Sequence, residues 1–548
     1  MPRLIIPELD EQPQYDYQNS AVGGMVSFPR LDTLSDKQVA YLENFDISSD
    51  GLAVTRRGTQ RFANLGIPSG NSAQGLGFVD HPVQGQVVFI KDGSGTSTIK
   101  FSPNWNSIGV HTNASFGVGD IVNFTQGLHQ LYFINRNGQI GTHLYSYNTQ
   151  TTTLSDVWAF QGTTNLKPIT GPCELVWHTS RLIMAGYNGG DNAFPADGVY
   201  FSGILDSNIW DRTNLQIRVG GGESGRILAI QPWGKYNLVV FKNSGTYIID
   251  CNPSVNVPDF TIEKVPGRHG CNCPGSVCEV ANDVFFLNQT GVRSIQRSLA
   301  SDNNTQLGDA ISWPIHDIIK RINWNAAPQT AASTYWNNNY ILSVPLDASP
   351  TNNYLLIYNT VTGSWSGLWS GIGIDLFCIR TLTDGTRRLL MAQNSPTPQI
   401  SEFLDFVAEG DVVDSTYQDS GVDIESTYTT RGFTFGDPSV QKQGFNFEAE
   451  FFRSVGDMQP TVILDGTQDP NYPPFSTGGT GLTFPADHSG LQLPQTFPKS
   501  GVVTSPLTDL LSKPDFRELQ IKLYGKAGKK VVRRVSVAAY LEAAKVQE

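Results

Sequence analysis

Apolar and polar positions along this chain fall into short runs, alternating or continuously apolar, broken by glycine, asparagine and serine. Such runs predict β-strands separated by tight turns. One unit recurs: an apolar strand, a Gly/Asn turn, then a second strand. It reads Gln86-Val-Val-Phe-Ile-Lys-Asp-Gly, Gln130-Leu-Tyr-Phe-Ile-Asn-Arg-Asn-Gly and Arg181-Leu-Ile-Met-Ala-Gly. It continues at Asn237-Leu-Val-Val-Phe-Lys-Asn-Ser-Gly, Asp283-Val-Phe-Phe-Leu-Asn-Gln-Thr-Gly, Asn339-Tyr-Ile-Leu-Ser-Val and Arg388-Leu-Leu-Met-Ala. The units start about 45–55 residues apart, close to the length of a propeller blade. A small sheet that is apolar on both faces cannot bury them alone, whereas radial packing against two neighbours buries both. The expectation is an all-β chain whose residues 66–408 form a β-propeller of about seven blades, joined by an N-terminal arm and strand over 1–65.

Helical spacing is rare. Ile315, Ile318, Ile319 and Ile322 predict one short helix, with Pro314 in its first turn. A second is predicted over Ser35 to Leu42. The character changes after residue 408. The run containing Asp411, Asp414, Asp419, Asp423 and Glu425 reads as a solvated linker. Strands are predicted at Thr427–Phe435, Gln443–Phe452 and Thr461–Leu464, with a long loop from Asp469 to Ser505. Two final strands flank the basic turn Lys526-Ala-Gly-Lys-Lys. Residues 409–548 are expected to form a separate β-sandwich.

Composition agrees with this reading. The chain has 548 residues, enough for more than one domain, with 39% hydrophobic residues, 16% charged residues and 54 glycines. The net charge is −12, the wrong sign for a protein that grips nucleic acid through its phosphates. An acidic wall past which DNA must slide is compatible with that sign. Six cysteines do not make a disulfide framework. No signal-peptide pattern opens the sequence, and no apolar run approaches the ~18 residues of a membrane span. Folding in a cytoplasm with reduced thiols is the expectation.

Candidate chemistry is sparse. Cys271, Cys273 and Cys278 crowd together beside His269, but a C-x-C pair without a second pair is not a zinc pattern. They read as small residues at a turn. Asp46, Asp50 and the stretch Asp191 to Asp197 lack the alternating ligands of a calcium loop. Gly220-Gly-Gly-Glu-Ser-Gly is glycine-rich but lacks the following Lys-Ser or Lys-Thr of a phosphate cradle. No catalytic residue, cofactor or metal is assigned, and the chain is expected not to be an enzyme. An alternative is a glycan-binding or glycan-cleaving propeller, an adhesin or depolymerase, with Trp210 stacking on a sugar between Asp206 and Asp211. Basic residues concentrate at Arg56 and Arg57 and at Lys526, Lys529, Lys530, Arg533 and Arg534. These are the expected contact surfaces for an acidic partner or neighbouring subunit.

Several segments, taken in order, resemble the tail nozzle proteins of short-tailed bacteriophages, also called tail tubular protein B, and the similar packaged-DNA stabilisation proteins. The first is Asn44-Phe-Asp-Ile-Ser-Ser-Asp-Gly-Leu-Ala-Val-Thr-Arg-Arg-Gly-Thr, with its Asn … Gly … Arg-x-Gly pattern. Ile227-Leu-Ala-Ile-Gln-Pro-Trp-Gly-Lys-Tyr-Asn-Leu-Val-Val-Phe-Lys resembles a central blade. So do Gly270-Cys-Asn-Cys-Pro-Gly-Ser-Val with Asn282-Asp-Val-Phe-Phe-Leu-Asn, and Asn353-Tyr-Leu-Leu-Ile-Tyr-Asn-Thr-Val-Thr-Gly-Ser-Trp. The resemblance spans about residues 20–400 and, more loosely, the C-terminal sandwich. It implies a virion structural protein, assembled in the host cytoplasm into a hexameric ring below the portal and adaptor (head-to-tail connector). That ring would retain packaged DNA and conduct it during ejection. The implied partners are the adaptor, tail fibre or spike and needle proteins, and double-stranded DNA passing without specific binding.

Overall fold

The computed structural model describes residues 13–541 apart from 28–32, 64–72, 79–85, 92–96, 102–105, 109–120, 137–143, 149–152, 157–173, 187–194, 212, 222–224, 268, 301–309, 396–397, 409–413, 453, 455–456, 466, 469–499 and 507–514. The chain is all-β in character, with a few short helices. Among the described residues seven sheets, antiparallel between their successive strands, follow one another along the chain. The first holds Ala73–Phe78, Gln86–Lys91, Ser97–Phe101 and Asn106–Ile108. The second holds Val122–Gly127, Gln130–Asn135, Tyr145–Asn148 and Thr153–Asp156. The third holds Glu174–His178, Arg181–Ala185 and Gly198–Gly203, the last paired with both Asp206–Trp210 and Gln216–Arg218. The fourth holds Ile227–Trp233, Asn237–Lys242, Thr246–Asp250 and Ile262–Lys264. The fifth has three strands, Cys278–Val280, Asp283–Asn288 and Gly291–Ser294, followed by the helix Ile295–Ala300. The sixth opens with Ala332–Trp336, Asn339–Val344, Tyr354–Asn359 and Ser364–Trp369. The seventh holds Gly373–Thr381, Arg387–Ser395 and Gln399–Phe403, completed by Thr59–Ala63 from near the N-terminus.

Each of the seven recurring sequence units lies on the second strand of a different sheet. In sheets two to seven these strands read as apolar runs because both faces are covered: Leu131 to Asn135 and Leu238 to Lys242 are buried without interruption. The clusters that bury them join neighbouring sheets. Ile134 packs with Met184 and Trp210 across sheets two and three, and Val199 with Leu238 and Ile249 across three and four. Phe241 meets Phe286 across four and five, ring centroids 5.0 Å apart. Ile341 packs with Leu389 across six and seven, and Leu390 with Leu76 across seven and one. First strands also pack beside first strands in succession, and Gly373–Thr381 of the seventh sheet returns to Ala73–Phe78 of the first. The close approach needs glycine in places. A Cβ on Gly127 would stand 2.2 Å from the Trp177 ring of the next sheet, and one on Gly77 1.5 Å from the Phe124 ring.

The expected Gly/Asn turns follow the recurring strand, as between Lys242 and Thr246 and between Asn288 and Gly291, and the turns that precede it use other chemistry. The hairpins that open sheets two, three and six turn on Leu128-His129, Thr179-Ser180 and Asn337-Asn338, all with φ between 45° and 61°. The mirror-image turns that suit strand twist are made here by residues with side chains rather than by Asn-Gly pairs.

The remaining strands form two facing sheets. In one, Leu519–Lys526 lies between Glu425–Thr429 and Asp457–Leu464, and Glu425–Thr429 continues through Tyr41–Glu43 to the sixth sheet. In the other, Val531–Leu541 pairs with Lys442–Phe452, Gln14–Gln18 and Ala53–Thr55. Phe45, Tyr428, Phe447, Val462, Ile521 and Val535 belong to the core shared by these sheets.

The predicted isoleucine helix is present as a 3-10 turn Trp313–Ile315 running into the helix His316–Lys320, and the four isoleucines are buried. The helix predicted over Ser35 to Leu42 is not. Asp36 and Lys37 turn there, and Tyr41–Glu43 is a strand held by Glu425–Thr429, so tertiary pairing overrides local propensity. The acidic run is likewise not a solvated linker over its described part. Asp414–Tyr417 is a 3-10 turn, and Gln418–Asp419 with Val422–Asp423 forms a small hairpin against Thr59. The long loop expected from Asp469 to Ser505 lies mostly outside the described residues, and Ser500–Pro506 is a strand.

Candidate functional site

The Asn … Gly … Arg-x-Gly pattern forms a clasp where the facing sheets meet sheets six and seven. The chain leaves Tyr41–Glu43 through Asn44, held at φ 58°. It runs down Phe45–Ile47, turns at Gly51 with φ 77°, and returns up Ala53–Thr55 to Arg56. The Arg56 side chain is fully enclosed and uses all five of its N–H donors. Nε donates to Asn44 Oδ1 at 2.8 Å. Nη1 donates to the Arg57 carbonyl at 3.1 Å and to Asp419 Oδ1 at 3.0 Å. Nη2 donates to the Ser370 carbonyl at 3.1 Å and to Asp419 Oδ2 at 2.5 Å. The pair with Asp419 is therefore a two-pronged, charge-assisted one. Asn44 Nδ2 donates to Ser370 Oγ and to the Glu425 carbonyl. The last residue of the pattern, Gly58, is glycine because a Cβ there would stand 2.0 Å from the Gln418 carbonyl oxygen.

Trp369 packs under this clasp, with the Arg56 guanidinium 5.5 Å from its ring centroid. Its Nε1 donates to Asp46 Oδ1 at 3.2 Å. Burial pushes the Asp46 carboxyl up to about 7, against the pull of Arg56 and the Trp369 hydrogen bond. A cleft of about 1320 Å³ adjoins the clasp, lined by Asn44, Thr59, Arg61, Gln399, Asp419 and Lys526 among others.

A second cavity, about 430 Å³, is lined by the first strands of sheets one, two, three, four, six and seven and by the turn preceding the first strand of sheet five. Glu174 is buried on its wall. Its Oε1 accepts from Arg136 Nε at 2.8 Å and its Oε2 from Asn123 Nδ2 at 3.2 Å. Burial raises the Glu174 carboxyl, and Arg136 opposes the rise. Asp375, on the seventh sheet, faces the same cavity and accepts from Asn394 Nδ2. Burial pushes its carboxyl up to about 6, opposed by the Asn394 hydrogen bond and, among the described residues, by no cation. Neither acid, nor Arg136, lies in a recognisable motif. The one sequence signal is a charge at the end of an otherwise apolar strand, as in Glu174-Leu-Val-Trp.

The basic residues singled out from sequence divide by burial. Arg56 is internal. Arg57 is half-buried, its guanidinium 5.2 Å from the Tyr417 ring centroid. Lys530 is also internal: its ammonium caps its own turn through the carbonyls of Lys526, Ala527 and Gly528. Lys526 is exposed and pairs with Glu425 at 3.2 Å. Arg533 and Arg534 both reach Glu450, at 2.8 and 3.6 Å, and Arg534 lies over the Tyr17 ring. Lys529 is half-buried on the same turn. Of these residues Lys526, Arg533, Arg534 and, in part, Lys529 and Arg57 thus offer charge to a partner.

The cysteine cluster is a packed turn. Cys271 Sγ donates to the Cys273 carbonyl, and burial pushes the Cys271 and Cys278 thiols up to about 12. Among the described residues no three His, Cys, Asp or Glu converge as metal ligands. Trp210 is enclosed, its Nε1 donating to the Ser207 carbonyl, so it offers no stacking platform to a sugar. Asp211 is spent on its own turn, accepting from Thr213 and Asn214. Asp197 pairs with Arg218 at 3.0 Å. Among the described residues no helix is long and apolar enough to cross a membrane.

No protein-family model matches the chain, and no curated protein matches it. Among solved structures it is similar to the extracellular domain of a hybrid two-component system from B. thetaiotaomicron, with 11% identity and a TM-score of 0.29. That match covers 66% of this chain and 38% of the other, so the chain spans well under half of the structure it matches.

Proposed function

We propose that the chain is a structural subunit of a bacteriophage tail, its seven sheets the blades of a β-propeller. Copies assemble, six to a ring, into a nozzle below the portal and adaptor that retains packaged DNA and conducts it during ejection. The observation that carries this reading is the clasp. The residues through which the sequence most resembles nozzle proteins, Asn44, Gly51, Arg56 and Gly58, are the ones that bolt the facing sheets to sheets six and seven. A wall element under pressure needs such a joint.

The propeller reading draws support from the succession of first-strand contacts that returns to its start, and from Thr59–Ala63 completing the last sheet with a strand from the other end of the ring. The cavity at the first strands, about 430 Å³, is too small for a duplex whose major groove alone is about 12 Å wide. The DNA path therefore runs between copies, past surfaces that carry the net charge of −12. The role is mechanical rather than enzymatic, and the setting is the virion.

Negative-stain electron microscopy of the purified chain, alone and with the adaptor of the same phage, tests this. The expected particles are sixfold rings with an axial lumen. Single, unassembled particles in both preparations overturn the reading.

A further inference from the structure

We propose that the cavity at the first strands binds a small zwitterion, an α-amino acid with an apolar side chain, whose carboxylate meets Arg136 and whose ammonium meets Asp375. The inference is independent of the assembly reading. Arg136 carries five N–H donors, and only Nε is used, by Glu174 Oε1. Among the described residues neither Nη has a protein partner. The free end of the guanidinium is the fork that pairs two-pronged with a carboxylate.

Glu174 does not compete for the ligand. Both of its oxygens are occupied, by Arg136 and Asn123, so it fixes the guanidinium instead of attracting a second cation. Gly275 keeps the fork open. A side chain there would meet the Ala331 carbonyl oxygen at 2.0 Å and stand 3.4 Å from Arg136 Nη1.

Asp375 supplies the opposite charge on another sheet. One of its oxygens accepts from Asn394, and the other has no hydrogen-bond donor among the described residues. An uncompensated buried carboxylate is costly, and an ammonium beside it removes that cost. The same lining offers apolar side chains beside the two charged groups, among them Leu76, Val176, Ile230, Leu376 and Phe377. A volume of about 430 Å³ lies within the ~300–1,000 Å³ of small-molecule sites.

Isothermal titration of the full chain with L-leucine tests the site. 4-Methylpentanoate, which lacks the ammonium, and isoamylamine, which lacks the carboxylate, are the matched controls. Leucine is expected to bind, with each control at least about tenfold weaker, since each loses one charge-assisted contact. Arg136→Gln is expected to abolish leucine binding. Asp375→Asn is expected to weaken it about tenfold and to bring 4-methylpentanoate level with leucine. No heat with millimolar leucine, controls that bind as tightly as leucine, or undiminished binding by Arg136→Gln would each overturn the proposal. The wild-type comparison of the three probes decides the matter even where a variant fails to fold.

Discussion

Arg56 and Asp419 are separated by 363 positions in sequence and joined by two parallel hydrogen bonds in the fold. The guanidinium is fully enclosed, whereas its partner carboxylate keeps a small exposure of 12%. Removing one member of a buried pair leaves an uncompensated charge, which costs more than the pair itself contributes. Arg56→Met is expected to destabilise the chain by about 3–5 kcal/mol, and Asp419→Asn by less, because the carboxamide still accepts one hydrogen bond. Arg56→Lys should fall near Arg56→Met, since an ammonium cannot span Asn44, Ser370 and Asp419 at once. Urea denaturation of the three variants checks the order. An Arg56→Met variant within about 0.5 kcal/mol of wild type, the scatter of neutral surface changes, would mean that the clasp does not hold the sheets together.

Asp46, beneath the same clasp, gives a pH dependence. Its carboxyl lies near 7 in the fold, above the ~3.9 of an unfolded aspartate. Between those values the folded state binds the extra proton, so this group's contribution falls as pH rises from about 4 to about 7. Asp46→Asn keeps an acceptor for Trp369 Nε1 and removes the ionisation. The variant is expected to gain about 1–2 kcal/mol over wild type at pH 8 and nothing at pH 4, after discounting for the nearby Arg56. Denaturation midpoints across that range check it. A gain that grows toward acid pH would reverse the assigned sign.

These two groups mark the limit of what the sequence makes legible. The second strands of sheets two to seven are visible because burial on both faces leaves an apolar run, as from Leu238 to Phe241. Arg56 stands out as a charge in a strand, but its partner does not: Asp419 sits in a run of acids that reads as solvated. Only the fold brings Gln418–Asp419 against Thr59. The helix expected near Ser35 fails for a related reason, since Leu42 is buried through pairing with residues nearly four hundred positions away. Arg136, Glu174 and Asp375 are unmarked because they come from strand ends in different sheets, and no local spacing records their convergence.

The basic turn at the C-terminal hairpin separates folding from assembly. Lys530 is internal, so Lys530→Glu is expected to destabilise the chain by more than about 2 kcal/mol, since it buries a charge against three carbonyls. Lys526→Glu, Lys529→Glu and Arg533→Glu combined should leave the melting temperature within a few degrees of wild type. The triple variant is nonetheless expected to weaken ring or adaptor assembly, read by sedimentation velocity. Rings that form normally from it would remove this surface from the interface.

A close approach between neighbouring sheets supplies a direct test of their packing. Gly127 lies on the first strand of the second sheet, and the Trp177 ring of the third lies 2.2 Å from where a Cβ would stand. Trp177 stacks in turn on Tyr132 at 6.2 Å, which leaves the indole little room to retreat. Gly127→Ala is therefore expected to cost about 1–3 kcal/mol through overpacking, despite adding a single methyl group. Combining it with Trp177→Leu opens the contested space. The double variant should be more stable than the sum of the two single effects by about 1 kcal/mol or more, the coupling of residues in contact. A double-mutant cycle in urea measures that term, and simple additivity would mean that the two sheets do not meet at Gly127.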